Sequence, residues 1–236
     1  IEQEDWETAQ HLLRHVERGE NTPPEVWLVR AIFERTKPPK PDWFRASRAV
    51  LNGIEKAPNH IALRIERLRQ LRSGDPFFGS DFSTDFALVD AADVVLRIVP
   101  SEPFALESRA IGLWRQFRDA GHVLLPEQKV KDLATKTREA LENAFLAGAK
   151  HPDLVMALTG FYAQQAIETP LLDRLCNEWL AQKQPYYAQA IRLIVATKQG
   201  RFAEADTLVN RFKWLAPPAV KEALIRIEPL LNEGER

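Results

Sequence analysis

The sequence predicts an all-α protein, and three observations carry that prediction. Apolar residues recur at steps of three and four along almost every segment that can be delimited, the spacing of one helix face. Those segments end at proline or glycine clusters, where a helix cannot continue. No convincing strand alternation occurs: the nearest run, Leu193-Ile194-Val195-Ala196, lies inside a helical pattern.

Taken in order, Asp5 to about Arg18 carries Trp6, Ala9, Leu12, Leu13 and Val16 on one stripe, and Gly19, Asn21 and Pro23-Pro24 end it. Thr22 is placed to cap a second helix, with proline early in its first turn and Val26, Trp27, Val29, Ile32 and Phe33 along it. Asp42 opens a third, with Phe44, Ala46, Val50, Leu51 and Ile54 inward and Pro58 as its stop. Residues 61–71 continue as helix to Ser73-Gly74-Asp75-Pro76, and an aromatic connection leads to a helix over about 86–99. Further helices are expected over 105–120, 127–149, 153–166 and 171–181. The stretch Tyr186–Pro217 reads as a helix, a turn at Gln199-Gly200, a second helix and a proline stop, and residues 219–231 form a last amphipathic helix. The total is about twelve.

Composition sets the outer limits. A chain of 236 residues can bury a sizeable core, and a hydrophobic share of 45% is ordinary for a folded domain. The formal net charge of −1 provides no global attraction to nucleic acid or an anionic membrane. No apolar run is long enough to cross a bilayer as a helix. The start lacks methionine and a signal-like core, so a trimmed fragment, a processed form or one domain of a longer chain is expected. Cys176 is the only cysteine, which excludes an internal disulfide and a cysteine-based zinc cluster; it reads as a buried small hydrophobe.

A spacing recurs. Ala205, Val209, Phe212 and Pro217 stand at steps of four, three and five, with Gly200 five residues before the first. Ala46, Val50, Gly53 and Pro58 repeat it, as do Ala91, Val95, Ile98 and Pro103, and Ala140, Ala144, Ala147 and Pro152. Asp173, Asn177, Leu180 and Pro185 keep only the last two positions. A small residue lets two helices approach closely, the next two share its face, and proline breaks the helix but fits the first turn of the following one. This pattern resembles the tetratricopeptide repeat, a helix-turn-helix unit that stacks because no pair can bury its own apolar face. The large aromatic that marks that family's first helix is missing or displaced in most units. The resemblance implies a right-handed αα solenoid and a single domain over 1–236: a helical pair over 1–40, degenerate repeats over 41–217, and a capping helix and tail over 218–236.

Chemistry-bearing motifs are sparse. No phosphate-binding glycine loop or nucleophile elbow occurs. His11 and His15 stand at i, i+4, but Leu12 occupies the place where a zinc-protease helix needs glutamate. His60, His122 and His151 fall near helix junctions and read as caps or as solvated turn residues. No metal site and no cofactor are expected. Arg64, Arg67, Arg69 and Arg72 form the densest basic run, readable as an oxyanion-binding face or as a solvated face laced by Glu66. In the resembled family the first helix of each pair lines a concave groove. That resemblance implies partner contacts at Trp114 with Arg118 and Glu107, at Tyr162 with Gln165, and at Tyr187 with Arg192. Packing between helices is the competing reading of each aromatic.

The expected role is a protein-interaction scaffold binding a peptide or partner segment, as a soluble cytoplasmic or periplasmic domain of a larger bacterial assembly or membrane-associated protein. The alternatives are a helical-repeat binder of nucleic acid or another anionic polymer through Arg64–Arg72, and an enzyme domain without a recognisable motif.

Overall fold

A computed structural model of the chain describes residues 3–17, 22–37, 40–73, 82–120, 125–149, 151–180 and 185–215. Every element among them is helical. The first seven are α1 (Gln3–Glu17), α2 (Pro24–Thr36), α3 (Trp43–Lys56), α4 (Ile61–Arg72), α5 (Phe82–Ile98), α6 (Pro103–Asp119) and α7 (Glu127–Leu146). There follow α8 (Pro152–Gln164) and α9 (Pro170–Arg174), which runs on without a break as a π-helical segment, Leu175–Leu180. The last are α10 (Pro185–Lys198) and α11 (Phe202–Leu215). The twelfth expected helix, over 219–231, lies outside the described residues, as do His122 and Pro217.

The helix starts follow local chemistry. Asp42 accepts the backbone N–H of Arg45 at 3.0 Å, Glu102 that of Ala105 at 2.6 Å, and Thr169 that of Leu172 at 3.1 Å. His60 and His151 cap α4 and α8 through Nδ1. Pro103, Pro152 and Pro170 fill the first turn, where a missing N–H costs nothing. Two expectations are corrected. Pro23, not Thr22, holds the N-cap place of α2, without a side-chain bond. α5 starts at Phe82, four residues earlier than its apolar stripe indicated.

The chain divides into two compact units, Ile1–Ala149 and Lys150–Arg236. In the first, each helix from α2 to α7 packs on its sequence neighbour, and α2 also touches α4 while α4 touches α6. One core cluster joins α2 and α3 through Ala31, Ala49 and Val50. A larger one joins α4, α5 and α6 through Leu68, Leu71, Leu88, Ala92, Val95 and Ala105. Gly53 sets the approach of α2, α3 and α4: a Cβ there would stand 2.8 Å from Leu63 Cδ1 and 2.8 Å from Trp27 Cβ. In the second unit α10 packs on α8, on the π segment and on α11. Its cluster of Leu193, Ala196, Ala205, Leu208 and Val209 joins α10 to α11.

Three helices end in the same way. The N–H of Ala149 bonds to the carbonyl of Ala144, that of Ile167 to Tyr162, and that of Arg201 to Ala196, at 2.9–3.1 Å. In each the residue before carries positive φ: Gly148 at 95°, Ala166 at 51° and Gly200 at 72°. This Schellman geometry satisfies carbonyls left open at a helix end. Ala166 and Gly200 lie 34 residues apart and play the same part.

The repeat positions sort unevenly. Ala46, Val50 and Gly53 are buried, as are Val95, Ala140, Ala144, Ala205 and Val209. In α5 the fully buried alanine is Ala92; Ala91 is only partly covered and Ile98 is exposed. Ala147 is an exposed C-cap, and Pro58 sits in a turn three residues ahead of α4. Gly200 is a turn residue with open space around it, not a packing residue. Along α9 and the π segment the buried set is Leu172, Leu175 and Cys176, and Asp173 and Asn177 face solvent. Leu172, Leu175 and Cys176 stand 33 residues before Ala205, Leu208 and Val209.

Candidate functional site

The basic run of α4 is spent on the fold. Arg64 Nε donates to the Pro58 carbonyl at 2.9 Å, and Arg67 Nη1 to Ser47 Oγ at 2.9 Å. Burial and the neighbouring Arg97 lower the pKa of Arg64. Arg72 pairs with Glu107 of α6, and its guanidinium lies 5.2 Å from the ring centre of Phe104. Arg69 is half-exposed, sits 5.9 Å from the same ring and lies 3.5 Å from Glu66.

Glu66 is fully buried, and its other oxygen accepts from Arg35 Nε of α2 at 2.8 Å. Glu34, also fully buried, is held by Arg30 at 2.7 Å and by Lys37. Buried carboxylates persist only when paired, because desolvation of a lone charge is too costly. Arg35–Glu66 and Arg72–Glu107 therefore bind α2 to α4 and α4 to α6 in succession. The structure does bring Arg69, Arg72 and Glu107 together, but Arg72 and Glu107 face one another and not solvent.

At the far end of α6, Trp114 is partly buried, its ring 6.2 Å from that of Phe117. Arg118 is exposed and forks onto Asp119 at 2.8 and 3.3 Å, which raises its pKa. Asp85 lies beneath this end, buried, with Arg115 at 3.6 Å and its carbonyl accepting from Gln116 at 3.1 Å. Desolvation raises its carboxyl pKa against the opposing pull of Arg115.

In the second unit Tyr162 is 1% exposed, packed beside Phe161 at a ring distance of 6.3 Å. That removes it from partner contact, since no surface can reach its ring. Gln165 is exposed at the C-cap of α8. Arg192 donates to Asn177 of the π segment. The Tyr187 side chain lies outside the described residues. Beside these, Lys198 Nζ and Gln199 Nε2 donate to the carbonyls of Gln164 and Ala166 at 2.7 and 3.0 Å. Arg201 pairs with Glu168 at 3.1 Å. The α10–α11 turn is thus tied to the end of α8. Cys176 is buried, and burial raises its thiol pKa.

The feature that sequence reasoning missed is apolar. A groove of about 360 Å³ runs between α1 and α2, lined by Leu12, Leu13, Val16, Val26, Val29 and Phe33. Leu12, Val16 and Val29 remain 59%, 47% and 52% exposed in it. The signal was present in the α1 stripe, which carries more apolar positions than one neighbouring helix can cover. At one end, Glu25 lies 3.4 Å from His60, and backbone bonding and His60 lower its pKa. Among the described residues no cluster of three or more His, Cys, Asp or Glu could hold a metal, and no helix is long and apolar enough to cross a membrane. Compared with known proteins, the chain matches no family model, no curated sequence and no solved structure.

Proposed function

We propose that the chain is a tetratricopeptide-like helical-repeat scaffold, right-handed in its stacking, that binds a segment of another protein and carries out no chemistry itself. The observation that supports this most is the direct succession of α2, α4 and α6, joined by Arg35–Glu66 and Arg72–Glu107. Alternate helices that touch are the signature of stacked pairs, and stacked pairs offer a binding face. The step from that architecture to binding is by analogy between folds. On the first helices, Arg69, Trp114 and Arg118 keep solvent access in the first unit, and Gln165 and Arg192 do so in the second.

The purified chain serves as bait in native lysate, beside Arg69→Glu and Trp114→Ala. A defined protein partner that both changes deplete is expected. Equal recovery with all three baits sinks the first-helix surface. The anionic-polymer reading is less favoured, because three of its four arginines are committed to Pro58, Ser47 and Glu107. Strong retention of nucleic acid on a filter at low salt, steeply lost on adding salt, would restore it.

A further inference from the structure

Two buried polar side chains of the first unit show the ordinary arrangement. Gln116 donates to the carbonyl of Asp85 at 3.1 Å, and Thr137 to that of Leu113 at 3.3 Å. Gln70 of α4 departs from it. Its side chain is 0% exposed, yet neither Oε1 nor Nε2 has a hydrogen-bond partner among the described residues. One turn earlier on the same helix, Glu66 is 0% exposed too, and its Oε2 is in the same condition. Arg35 is bonded to the other oxygen, and Arg69 Nη1, at 3.5 Å, brings charge to Oε2 but no hydrogen bond. Positions four apart share a helix face, so these groups are neighbours on α4.

A buried amide without partners is costly, because nothing repays the hydrogen bonds it gave up on leaving solvent. What satisfies it here has to be small, since neither side chain has any surface open to solvent. The surroundings also fix its charge. The guanidiniums of Arg35 and Arg69 already outweigh the Glu66 carboxylate, so a cation gains nothing there. An anion would have to sit against that carboxylate. A neutral group with hydrogens to give and a lone pair to offer fits all three atoms, since Glu66 Oε2 and Gln70 Oε1 accept and Gln70 Nε2 donates. Water has that make-up; it occupies about 30 Å³ and asks for two to four polar partners.

We propose that Gln70 and Glu66 hold a buried water, which accepts from Gln70 Nε2 and donates to Glu66 Oε2. Its second hydrogen serves Gln70 Oε1, directly or through a further water. The site has a structural task. Arg35 ties Glu66 to α2 through one oxygen only, and the bridge to Gln70 fixes the other, so the carboxylate cannot swing away from α2. The proposal stands apart from the scaffold reading, because it concerns how α2 and α4 are held and not what their surface binds.

A crystal structure of the full chain, at a resolution that shows ordered water, tests this directly. The expected result is a density peak at hydrogen-bond distance, about 2.7–3.2 Å, from both the Gln70 amide and Glu66 Oε2. A direct bond from Gln70 Nε2 to Glu66 with no peak between them overturns the proposal, as does an amide with neither. Crystals grown in rubidium bromide separate water from an ion, and an anomalous peak at the site would assign it to the ion and end the proposal. Two solution measurements are independent of any crystal. The side-chain amide protons of Gln70 in the wild-type chain should show direct cross-relaxation with water, although they are closed to bulk solvent; its absence counts against the site. Magnetic relaxation dispersion of water oxygen-17 counts long-lived internal waters, and Gln70→Met, which keeps the length and removes both polar atoms, should lower that count by about one. An unchanged count in a variant with wild-type circular dichroism overturns the proposal. If Gln70→Met does not fold, the cross-relaxation of the wild-type chain still decides.

Discussion

Ala166 occupies a backbone position made for glycine. Its φ of 51° places it in the left-handed region, where an L side chain crowds the following carbonyl at about 1–2 kcal/mol. Gly200, 34 residues on, ends α10 by the same pair of bonds and has nothing within 4 Å of where a Cβ would stand. Replacing Ala166 with glycine removes the crowding but gives the unfolded chain about 0.5–1 kcal/mol more conformational freedom to lose. The net expectation is a gain of about 0.5–1 kcal/mol, a Tm rise of roughly 1–4 °C for a chain of this size. The reverse change, Gly200→Ala, should cost about 1 kcal/mol, and the open space makes that cost purely conformational. Urea and thermal unfolding of both variants, followed by circular dichroism, give the two numbers. A loss of stability in Ala166→Gly together with no loss in Gly200→Ala would refute the shared left-handed cap.

Other consequences are equally direct. Gly53→Ala should destabilise by about 1–3 kcal/mol in urea unfolding, because Trp27 Cβ and Leu63 must both give way. Arg35→Ala should cost about 3–5 kcal/mol by leaving the buried Glu66 carboxylate with only the more distant, half-exposed Arg69 beside it, and a double-mutant cycle with Glu66→Ala should return a clear coupling; additive effects would mean the pair does not form. For Asp85 the folded pKa is raised, so the native state holds its proton more tightly than the unfolded chain does. Its contribution is favourable at low pH and is lost as pH rises through the folded value. Asp85→Asn should therefore raise Tm near pH 7 and lose that advantage below about pH 4, where the wild-type carboxyl is neutral in both states. Cys176 should react with iodoacetamide on the order of a hundredfold more slowly in native protein than in urea, since burial removes both access and thiolate.

The helices were legible because their stripes and proline stops are local properties of the chain. The place of His60 and His151 at helix junctions was legible for the same reason, while their capping bonds through Nδ1 are supplied by the structure. Registration was less so where helix geometry departs from 3.6 residues per turn. Counting back from Pro185 in α-helical steps lands on Asp173 and Asn177, but the π segment over Leu175–Leu180 adds residues to the turn. The buried positions are consequently Leu172, Leu175 and Cys176. Charge was the other blind spot. Nothing local distinguishes Glu66 and Glu107, buried between helices, from the exposed Glu127 on the outside of α7, because their partners Arg35 and Arg72 lie 31 and 35 residues earlier. Tyr162 failed as a surface residue through the same ambiguity, an aromatic on an apolar stripe having two sides available to it.

The double engagement of α4 has a mechanical meaning. It receives a guanidinium from α2 at Glu66 and offers one to α6 at Arg72, six residues and nearly two turns further along. A helix held at two heights by opposite charges cannot roll about its axis without breaking one bond or stretching the other. Nor can it slide by a turn, since each charge would then face the wrong partner. α2 and α6, which lie on either side of it in the row, are thus both referred to the same helix, and the two ion pairs set the register of the whole succession at α4.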